Sequence, residues 1–379
     1  MSRSDLQVDN PPYHGWMIGF HKEDLTLAGA FCTTPDSTAD DSAGLDTQTL
    51  GGAIWQAGFG PAADNDGFIY CITGNGLNTV FAGVQEKGPL DGYQTSFNNQ
   101  QHVNYIGTDG HVHELVYTDH WSHTDLDVAA HRNRNYADSM LQLDKTSALK
   151  GLFTPPDPLG LTLRDTDFGS AGPLVLPDGG GGGKFVVGCG KDANVYLVDR
   201  TLMAPLINQI GKFTSTIRLV SNPSAHPITG DGGGPGVWGG PAYYESPRSG
   251  SLIYYCGDHG PLQAIAVVDR SLKPIDQTPP SETFPNEGGI IPVVTSNGST
   301  PDTGVVWGIT RPDSENDNKL HLRAYDADNL KGGHLFDGEI GPWNPSGPGT
   351  GAFLVPMIVN GKVYIAADHL LIAYHVPAG

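Results

Sequence analysis

Several turns of this sequence carry side chains that could bind or transform a polar small molecule. His259 and His369 each follow an aspartate, and the unperturbed pKa of histidine lies near neutrality, which suits a general base. Arg311 could hold an anionic group such as a carboxylate or a quinone oxygen. These three residues are the candidate catalytic groups. The candidate ligand-binding residues are Lys191, Asp192, Asp258, Asp368, Asn75, Trp238 and Trp343.

The aspartates in these turns have more than one chemical use. A carboxylate beside a histidine can orient the imidazole, and carboxylates can also ligate calcium. The sequence leaves the identity of any metal ligands unknown. Ordinary polar turns, in which Asp caps backbone amides, are the alternative. Loops that precede the strands could add Trp55, Asp165, Asp167 and Glu287 to the same face.

The elements that must position these residues are short strands. Runs rich in Val, Ile and Tyr are separated by polar turns, which is typical of strands and hairpins. A segment of small residues with a proline precedes each pair of strands, and such residues suit an innermost edge strand. The intervals between these prolines are about 50 to 70 residues, with one double interval, as in propeller blades with long loops. The prolines are Pro61, Pro173, Pro241, Pro292 and Pro356.

These patterns predict an all-β chain folded as a single β-propeller over 1–379, with about six blades of four antiparallel strands. The double interval is predicted to hold one atypical blade within 78–131. The N-terminal hairpin and the last strands are predicted to share one blade, because that closure removes a free sheet edge. Turns between the second and third strands would then open on one face and gather distant side chains into one polar ring.

The composition supports this fold and excludes some partners. The 52 glycines and 29 prolines among 379 residues oppose a helical protein. A net charge of −20 repels phosphate backbones, so nucleic acid is not expected as a partner. No apolar run approaches the roughly 18 residues of a membrane-spanning helix, and no signal-peptide core follows the start. The protein is therefore predicted to be cytoplasmic, or secreted with its leader missing.

The cysteines and the glycine run give no separate catalytic motif. Cys32, Cys71, Cys189 and Cys256 are far apart and form no CxxC pair, so they are predicted to be small buried thiols. Two distant disulfides stay open as the alternative. The glycines at 179–183 lack the spacing of a phosphate-binding loop and are predicted to form a hairpin turn.

Several strings resemble the repeat of PQQ-type propellers, the quinoprotein alcohol dehydrogenase-like proteins. They are GCGKDANVYLVD at 188–199, IWQAGFGPAADNDGFIYCITGNG at 54–76, DFGSAGPLVLP at 167–177 and PYHGW at 12–16. This resemblance implies a propeller fold. It further implies an oxidoreductase that holds PQQ on calcium at the central face of the propeller, with a histidine that accepts the substrate proton.

Residues 109–123, DGHVHELVYTDHWSH, resemble one repeat of fucose-binding propeller lectins. The resemblance implies contact with a carbohydrate. His111 and His113 alternate on one predicted strand, so both point the same way and could also chelate zinc. A surface strand without a ligand is the remaining interpretation.

Three functions therefore stay open from the sequence. The first is a quinoprotein-like propeller that binds a polar ligand at its central face as an oxidoreductase. The second is a lectin-like propeller that binds carbohydrate. The third is a cofactor-independent lyase, hydrolase or isomerase that uses histidine and arginine at the same face. In each case the expected partner is a small molecule or a carbohydrate, and propellers host many functions, so the fold does not choose.

Overall fold

The structure of the 379-residue chain is a computed structural model. It describes residues 14–34, 51–76, 100–106, 112–118, 135–156, 158–163, 165–203, 213–219, 236–282, 284, 289–311, 319–343, 354–367 and 369–375.

The described chain is built from short antiparallel strands and one short helix, α1 (Pro158–Leu163). The strands are β1 (Trp16–Phe20), β2 (Leu27–Cys32), β3 (Ala62–Ala63), β4 (Ile69–Ile72), β5 (Gln100–Ile106), β6 (Val112–Thr118), β7 (Met140–Leu143), β8 (Leu149–Phe153), β9 (Leu174–Val175), β10 (Phe185–Gly188), β11 (Asn194–Asp199), β12 (Ser215–Arg218), β13 (Ala242–Ser246), β14 (Gly250–Cys256), β15 (Leu262–Val268), β16 (Ser271–Gln277), β17 (Val293–Thr295), β18 (Val305–Thr310), β19 (Lys319–Asp326), β20 (His334–Pro342), β21 (Met357–Val359), β22 (Lys362–Ala367) and β23 (Leu370–His375).

These strands form five antiparallel sheets in chain order. Sheet 1 has the order β3-β4-β7-β8, sheet 2 β9-β10-β11-β12, sheet 3 β13-β14-β15-β16 and sheet 4 β17-β18-β19-β20. Sheet 5 has three strands, β21-β22-β23, and β1 pairs with β2 as an N-terminal hairpin. Successive four-stranded antiparallel sheets are the blades of a β-propeller, so the predicted fold class is confirmed.

The five prolines mark the sheets as the sequence predicts. Each proline stands one residue before the first strand of its sheet, from Pro61 before β3 to Pro356 before β21. That strand lies at a sheet edge, where the missing N–H of proline breaks no ladder of hydrogen bonds. The proline period therefore counts the sheets correctly.

The additional blade predicted within 78–131 stays a prediction, and the described residues of this stretch form two strands. β4 pairs directly with β7, from Ile69 opposite Leu143 to Ile72 opposite Met140. β5 and β6 form a two-stranded hairpin of their own between these two strands of sheet 1. The long interval after Pro61 is therefore an insertion within a blade. His111 lies outside the described residues, as do the side chains of β5 and β6.

The predicted closure of the ring stays a prediction. In the described part of the chain, the hairpin β1–β2 and sheet 5 form separate sheets, with no hydrogen-bonded ladder between them. The described residues form sheets 1 to 5 and two separate hairpins, β1–β2 and β5–β6.

The hydrophobic core lies between consecutive sheets. Adjacent residues of one strand point to opposite faces, so each inner sheet is buried on both sides. Val186 packs between sheets 1 and 2, whereas Val187 packs between sheets 2 and 3. Tyr255 and Tyr254 divide in the same way between the interfaces of sheet 3 with sheets 2 and 4. Five clusters of this kind join the hairpin and the five sheets in sequence.

The cysteines are thiols, as the first interpretation predicts. No disulfide joins any two of the four, all of which lie in the described part of the chain. Burial raises the pKa of Cys71 and of Cys256 to about 12, so neither is a thiolate near neutral pH. None of the helices in the described segments is long and apolar enough to span a bilayer.

Candidate functional site

The turns between the second and third strands of the sheets carry most of the candidate residues. Asn75 follows β4, Lys191 follows β10 and Asp258 follows β14. Backbone hydrogen bonds join the second and third of these turns to the loops beside them: Lys191 donates to Asp167 O, and Asp258 donates to Gly236 O. The structure therefore brings sequence-distant turns of sheets 1 to 3 to one end of the stack.

A buried lysine is the centre of this region. Lys191 Nζ lies 2.5 Å from Asp167 Oδ2 and 3.3 Å from Asp165 Oδ1. It also donates to the main-chain oxygen of Asp165 at 3.2 Å. These contacts occupy all three N–H bonds of the ammonium group. Although burial alone lowers the pKa of Lys191, the carboxylates of Asp167 and Asp165 outweigh it and raise that pKa above its ordinary value.

Two tryptophans flank this lysine and its partners. Lys191 Nζ lies 5.9 Å from the ring centroid of Trp238, within the range of a cation–π contact. Gly74 explains how Trp55 approaches: a Cβ there would lie 3.0 Å from the indole and 2.7 Å from Asp167 Oδ1. Trp55 is 46% exposed, so an aromatic surface faces solvent beside the buried carboxylate.

Asn75 links the same residues from sheet 1. Its backbone N–H donates to Asp167 Oδ1 at 2.8 Å, and its Nδ2 donates to Asp165 Oδ1 at 2.8 Å. Its Oδ1 is buried and has no hydrogen-bond partner among the residues that the structure describes. The structure thus collects Asn75, Asp165, Asp167, Lys191 and Trp238, which the sequence places on one face.

Asp138 belongs to this region and was missed in the sequence. It is fully buried, and its carboxyl accepts hydrogen bonds from Thr162 Oγ1 at 2.8 Å and from the Phe168 N–H at 3.0 Å. Burial and the nearby carboxylate of Asp167 raise its pKa well above the ordinary value. It precedes β7, whose pairing with β4 spans the long insertion, and no short motif marks it.

Gln56 was also missed. It is 3% exposed, its backbone has a left-handed φ of 46°, and its Oε1 is buried without a partner. The short 3-10 turn Gln56–Gly58 packs against Phe168–Ser170, which follows Asp167. A second unpaired amide oxygen therefore lies near the segment that pairs with Lys191. A left-handed glutamine gives no recognisable sequence signal.

The turn after β14 holds a histidine–aspartate pair. His259 Nδ1 lies 2.7 Å from Asp258 Oδ1; the aspartate side chain is 4% exposed and the histidine side chain 39%. When Nδ1 carries the proton and donates to the carboxylate, Nε2 is left as an acceptor. His259 has a left-handed φ of 51°, a conformation that is uncommon outside glycine and asparagine. This pair is the most completely built acid–base group among the candidates.

Asp192, predicted as a ligand-binding residue, has its carboxylate hydrogen-bonded to side chains of its own sheet. Its Oδ2 accepts hydrogen bonds from Asn194 Nδ2 and from Tyr196 Oη, both at 2.9 Å. These partners follow it on β11, so the carboxylate binds back along its own sheet. Burial raises the pKa of Asp192 above its ordinary value. Its role in the structure is that of a turn residue.

The remaining candidates lie in sheets 4 and 5. Arg311 is half-buried directly after β18, and His369 is exposed between β22 and β23 with a left-handed φ of 56°. Trp343 packs against the core cluster between sheets 4 and 5, which gives it a structural contact. Asp368 and Glu287 lie outside the described residues. The roles of Arg311 and His369 stay predictions.

The described residues do not fit PQQ held on calcium. Calcium needs six or more oxygen ligands, usually with several carboxylates. Within the described segments, no three His, Cys, Asp or Glu side chains are grouped so that they could hold a metal ion. PQQ is itself a polycarboxylate, and Lys191, the buried cation of the region, is already occupied by Asp165 and Asp167. The donor set of this region therefore favours a different ligand.

Comparison with known proteins finds partial similarity to a solved structure. No family model matches the chain, and no curated protein matches it. Among solved structures, it is similar to the quinohemoprotein alcohol dehydrogenase from Comamonas testosteroni, with 15% identity and a TM-score of 0.46. The match covers 93% of this chain and 52% of that chain, so this chain spans about half the length of that protein.

Proposed function

We propose that this propeller binds a polar organic molecule at the end of the stack formed by the turns of sheets 1 to 3, and that His259 exchanges a proton with it. The Asp258–His259 pair carries the proposal. A nearly buried carboxylate holds one imidazole nitrogen while the ring itself reaches solvent. Side chains in this arrangement act as general bases or acids in lyases, hydrolases and isomerases.

The turn that holds His259 lies beside the lysine region, where the proposed ligand would bind. The N–H of Asp258 binds Gly236 O, and a Cβ at Gly236 would lie 2.8 Å from Trp238 and 3.0 Å from Lys191 Cα. The histidine turn and the lysine region are therefore neighbours through one glycine. The proposed ligand lies along Trp238 and reaches toward the turn that holds His259.

The Asp258 carboxylate has two effects on this transfer. It keeps the Nδ1–H tautomer, so Nε2 accepts the proton, and it stabilises the imidazolium that forms. The proton returns to the ligand or to water in a later step. Arg311, which occupies the corresponding turn of sheet 4, is the proposed partner for negative charge that develops on the ligand.

The oxidoreductase implied by the sequence resemblance is the second candidate. If bound, PQQ would supply two-electron chemistry that these side chains lack. The region offers one lysine whose three donors are occupied, and no described cluster suited to calcium. We therefore rank the quinone function below proton transfer by His259.

The first experiment measures deuterium incorporation by NMR into a panel of hydroxy acids, sugars and small carbonyl compounds in D2O. This readout detects abstraction of a carbon-bound proton. We expect exchange with the wild-type protein and a loss of about a hundredfold or more in His259→Asn. The matched control is His321→Asn, because His321 Nδ1 also lies 2.8 Å from a carboxylate, Asp337, and is 36% exposed, but on β19. That variant should exchange like the wild type.

Three results would count against the proposal. Full exchange in His259→Asn would remove the proposed proton acceptor, and absence of exchange throughout the panel would remove the activity. Saturable binding of PQQ with calcium, seen as an absorbance change and a raised melting temperature, would favour the quinone function instead.

A further inference from the structure

One hydrogen-bond acceptor of Asn75, its side-chain Oδ1, has no donor among the described residues. Its main-chain N–H donates a hydrogen bond to Asp167 Oδ1, and its side-chain Nδ2 donates one to Asp165 Oδ1. Asn75 is 5% exposed, and its Oδ1 has no partner. Because Nδ2 is turned toward Asp165, Oδ1 is turned away from it. Buried amide oxygens are normally hydrogen-bonded, so an unpaired one in this setting indicates a missing donor.

The neighbouring groups cannot supply that donor. Lys191 shares the partners Asp165 and Asp167 with Asn75, and its three N–H bonds already serve these two residues. The Oε1 of Gln56 is a second buried acceptor without a partner, on the segment that packs against Phe168–Ser170. The region therefore holds more acceptors than donors.

We propose that the ligand of this region is a neutral polyhydroxyl molecule, a sugar or polyol, whose hydroxyl groups donate to Asn75 Oδ1 and Gln56 Oε1. The inference rests on the proposed function, because it names the ligand class of the same site. Hydroxyl groups are donors without charge, and they match acceptors that have none. Trp55, 46% exposed beside Gly74, offers an aromatic face to the apolar side of such a ring.

Charged ligands match this region less well. A carboxylate or phosphate would add acceptors where donors are lacking, next to Asp165 and Asp167. An ammonium group would meet Lys191, which already neutralises part of that negative charge. A neutral donor avoids both repulsions, and it leaves the Lys191 pairs intact.

The test compares matched ligands by isothermal titration calorimetry with the full chain. Neutral hexoses and pentitols are titrated beside their acid and amino counterparts, for example glucose, glucuronate and glucosamine. We expect neutral members to bind at least about tenfold more tightly than both charged counterparts. Tighter binding of the acid or the amine would overturn this inference. It would leave proton transfer by His259 untouched, because deuterium exchange tests that step separately.

Asn75→Leu distinguishes a ligand contact from a structural one. It removes the unpaired oxygen and also the hydrogen bond from Nδ2 to Asp165, so the melting temperature should fall by no more than in the control below, while affinity for the neutral ligand falls by roughly tenfold or more. The matched control is Asn194→Leu, whose amide donates to Asp192 within sheet 2. That variant should lower the melting temperature and leave affinity unchanged.

A second variant keeps the test valid if Asn75→Leu does not fold. Trp55→Ala alters a half-exposed ring, so the protein should fold and bind the neutral ligand more weakly. Unchanged affinity in Asn75→Leu or in Trp55→Ala would overturn the inference. So would a crystal structure in which water alone occupies Asn75 Oδ1 at saturating sugar.

Discussion

Two buried ion networks join sheets 1 and 2 at opposite ends of their strands. At one end Lys191 pairs with Asp165 and Asp167. At the other end Arg200 lies 2.5 Å from Asp64 and 2.6 Å from Asp178. Both networks combine one cation with two carboxylates, so their composition does not separate a functional site from a structural one.

The surroundings of the two networks differ. Arg200 is 3% exposed at the side chain, and Asp64 also accepts a hydrogen bond from Tyr70, which Gln142 supports in turn. The Lys191 network has unpaired amide oxygens, a half-exposed indole and left-handed backbone at Gln56, Asp138 and Asp165. Departures from local rules collect at functional sites, where the rest of the fold compensates for them. The Arg200 network also has a buried atom without a partner among the described residues, Arg200 Nε, but Asp64, Asp178 and Arg200 all lie outside the left-handed region. We therefore infer that it serves as a clamp between sheets.

The largest expected effect separates the two networks by function. Arg200→Met leaves Asp64 buried without its cation, and we expect a loss of about 3–5 kcal/mol in the free energy of unfolding. Lys191→Met should also destabilise, because Asp167 and Asp165 lose their partner. Only Lys191→Met should abolish ligand binding in the protein that remains folded. Urea unfolding and calorimetric titration of both variants measure the two quantities.

An ion pair on the surface serves as the reference for the loss in the free energy of unfolding. Lys319 and Glu339 lie 2.8 Å apart with about half of each side chain exposed, and Lys319→Met should cost about 0–1 kcal/mol. If Arg200→Met were as mild as Lys319→Met, the clamp would be unnecessary for stability. If folded Arg200→Met protein no longer bound the ligand, it would be wrong to assign ligand binding to the Lys191 network alone.

Acid–base behaviour should also differ between the two ends. Although burial alone raises the pKa of Asp64, hydrogen bonds from Phe68, Tyr70 and Arg200 lower it overall. That carboxylate therefore stabilises the fold above its ordinary pKa near 4, and the contribution is lost as pH falls through the lowered folded value. Asp138 has a raised pKa, chiefly through burial, so its contribution has the opposite sign.

Between the ordinary pKa near 4 and its raised folded value, Asp138 should lower stability as pH increases, by up to about 1.4 kcal/mol per pH unit. Asp138→Asn removes this slope. Urea unfolding from about pH 4 to pH 8 should show the variant gaining stability relative to the wild type as pH rises. A constant difference between them would mean that Asp138 does not change protonation on folding.

The sequence predicts this architecture better than it predicts the site. The prolines identify the first strand of each of sheets 1 to 5, because edge position is a local property. Asp138 depends on the pairing of β4 with β7 across an insertion, which no local pattern reveals. The carboxylate of Asp192 is hydrogen-bonded to partners only two and four residues later in the chain, on β11, and its prediction as a ligand-binding residue stays a prediction.

The smallest expected effect tests whether the Asp192 carboxylate serves only contacts within its own sheet. Tyr196→Phe removes the hydroxyl that donates to Asp192 Oδ2 at 2.9 Å. One neutral donor to a carboxylate contributes about 1–2 kcal/mol, and Asn194 still donates to the same carboxylate, so the loss should lie near the lower figure. Ligand affinity should stay at the wild-type value, because the carboxylate faces along sheet 2. A fall in affinity together with unchanged stability would return Asp192 to the binding site and extend the Lys191 network into the turn that follows it.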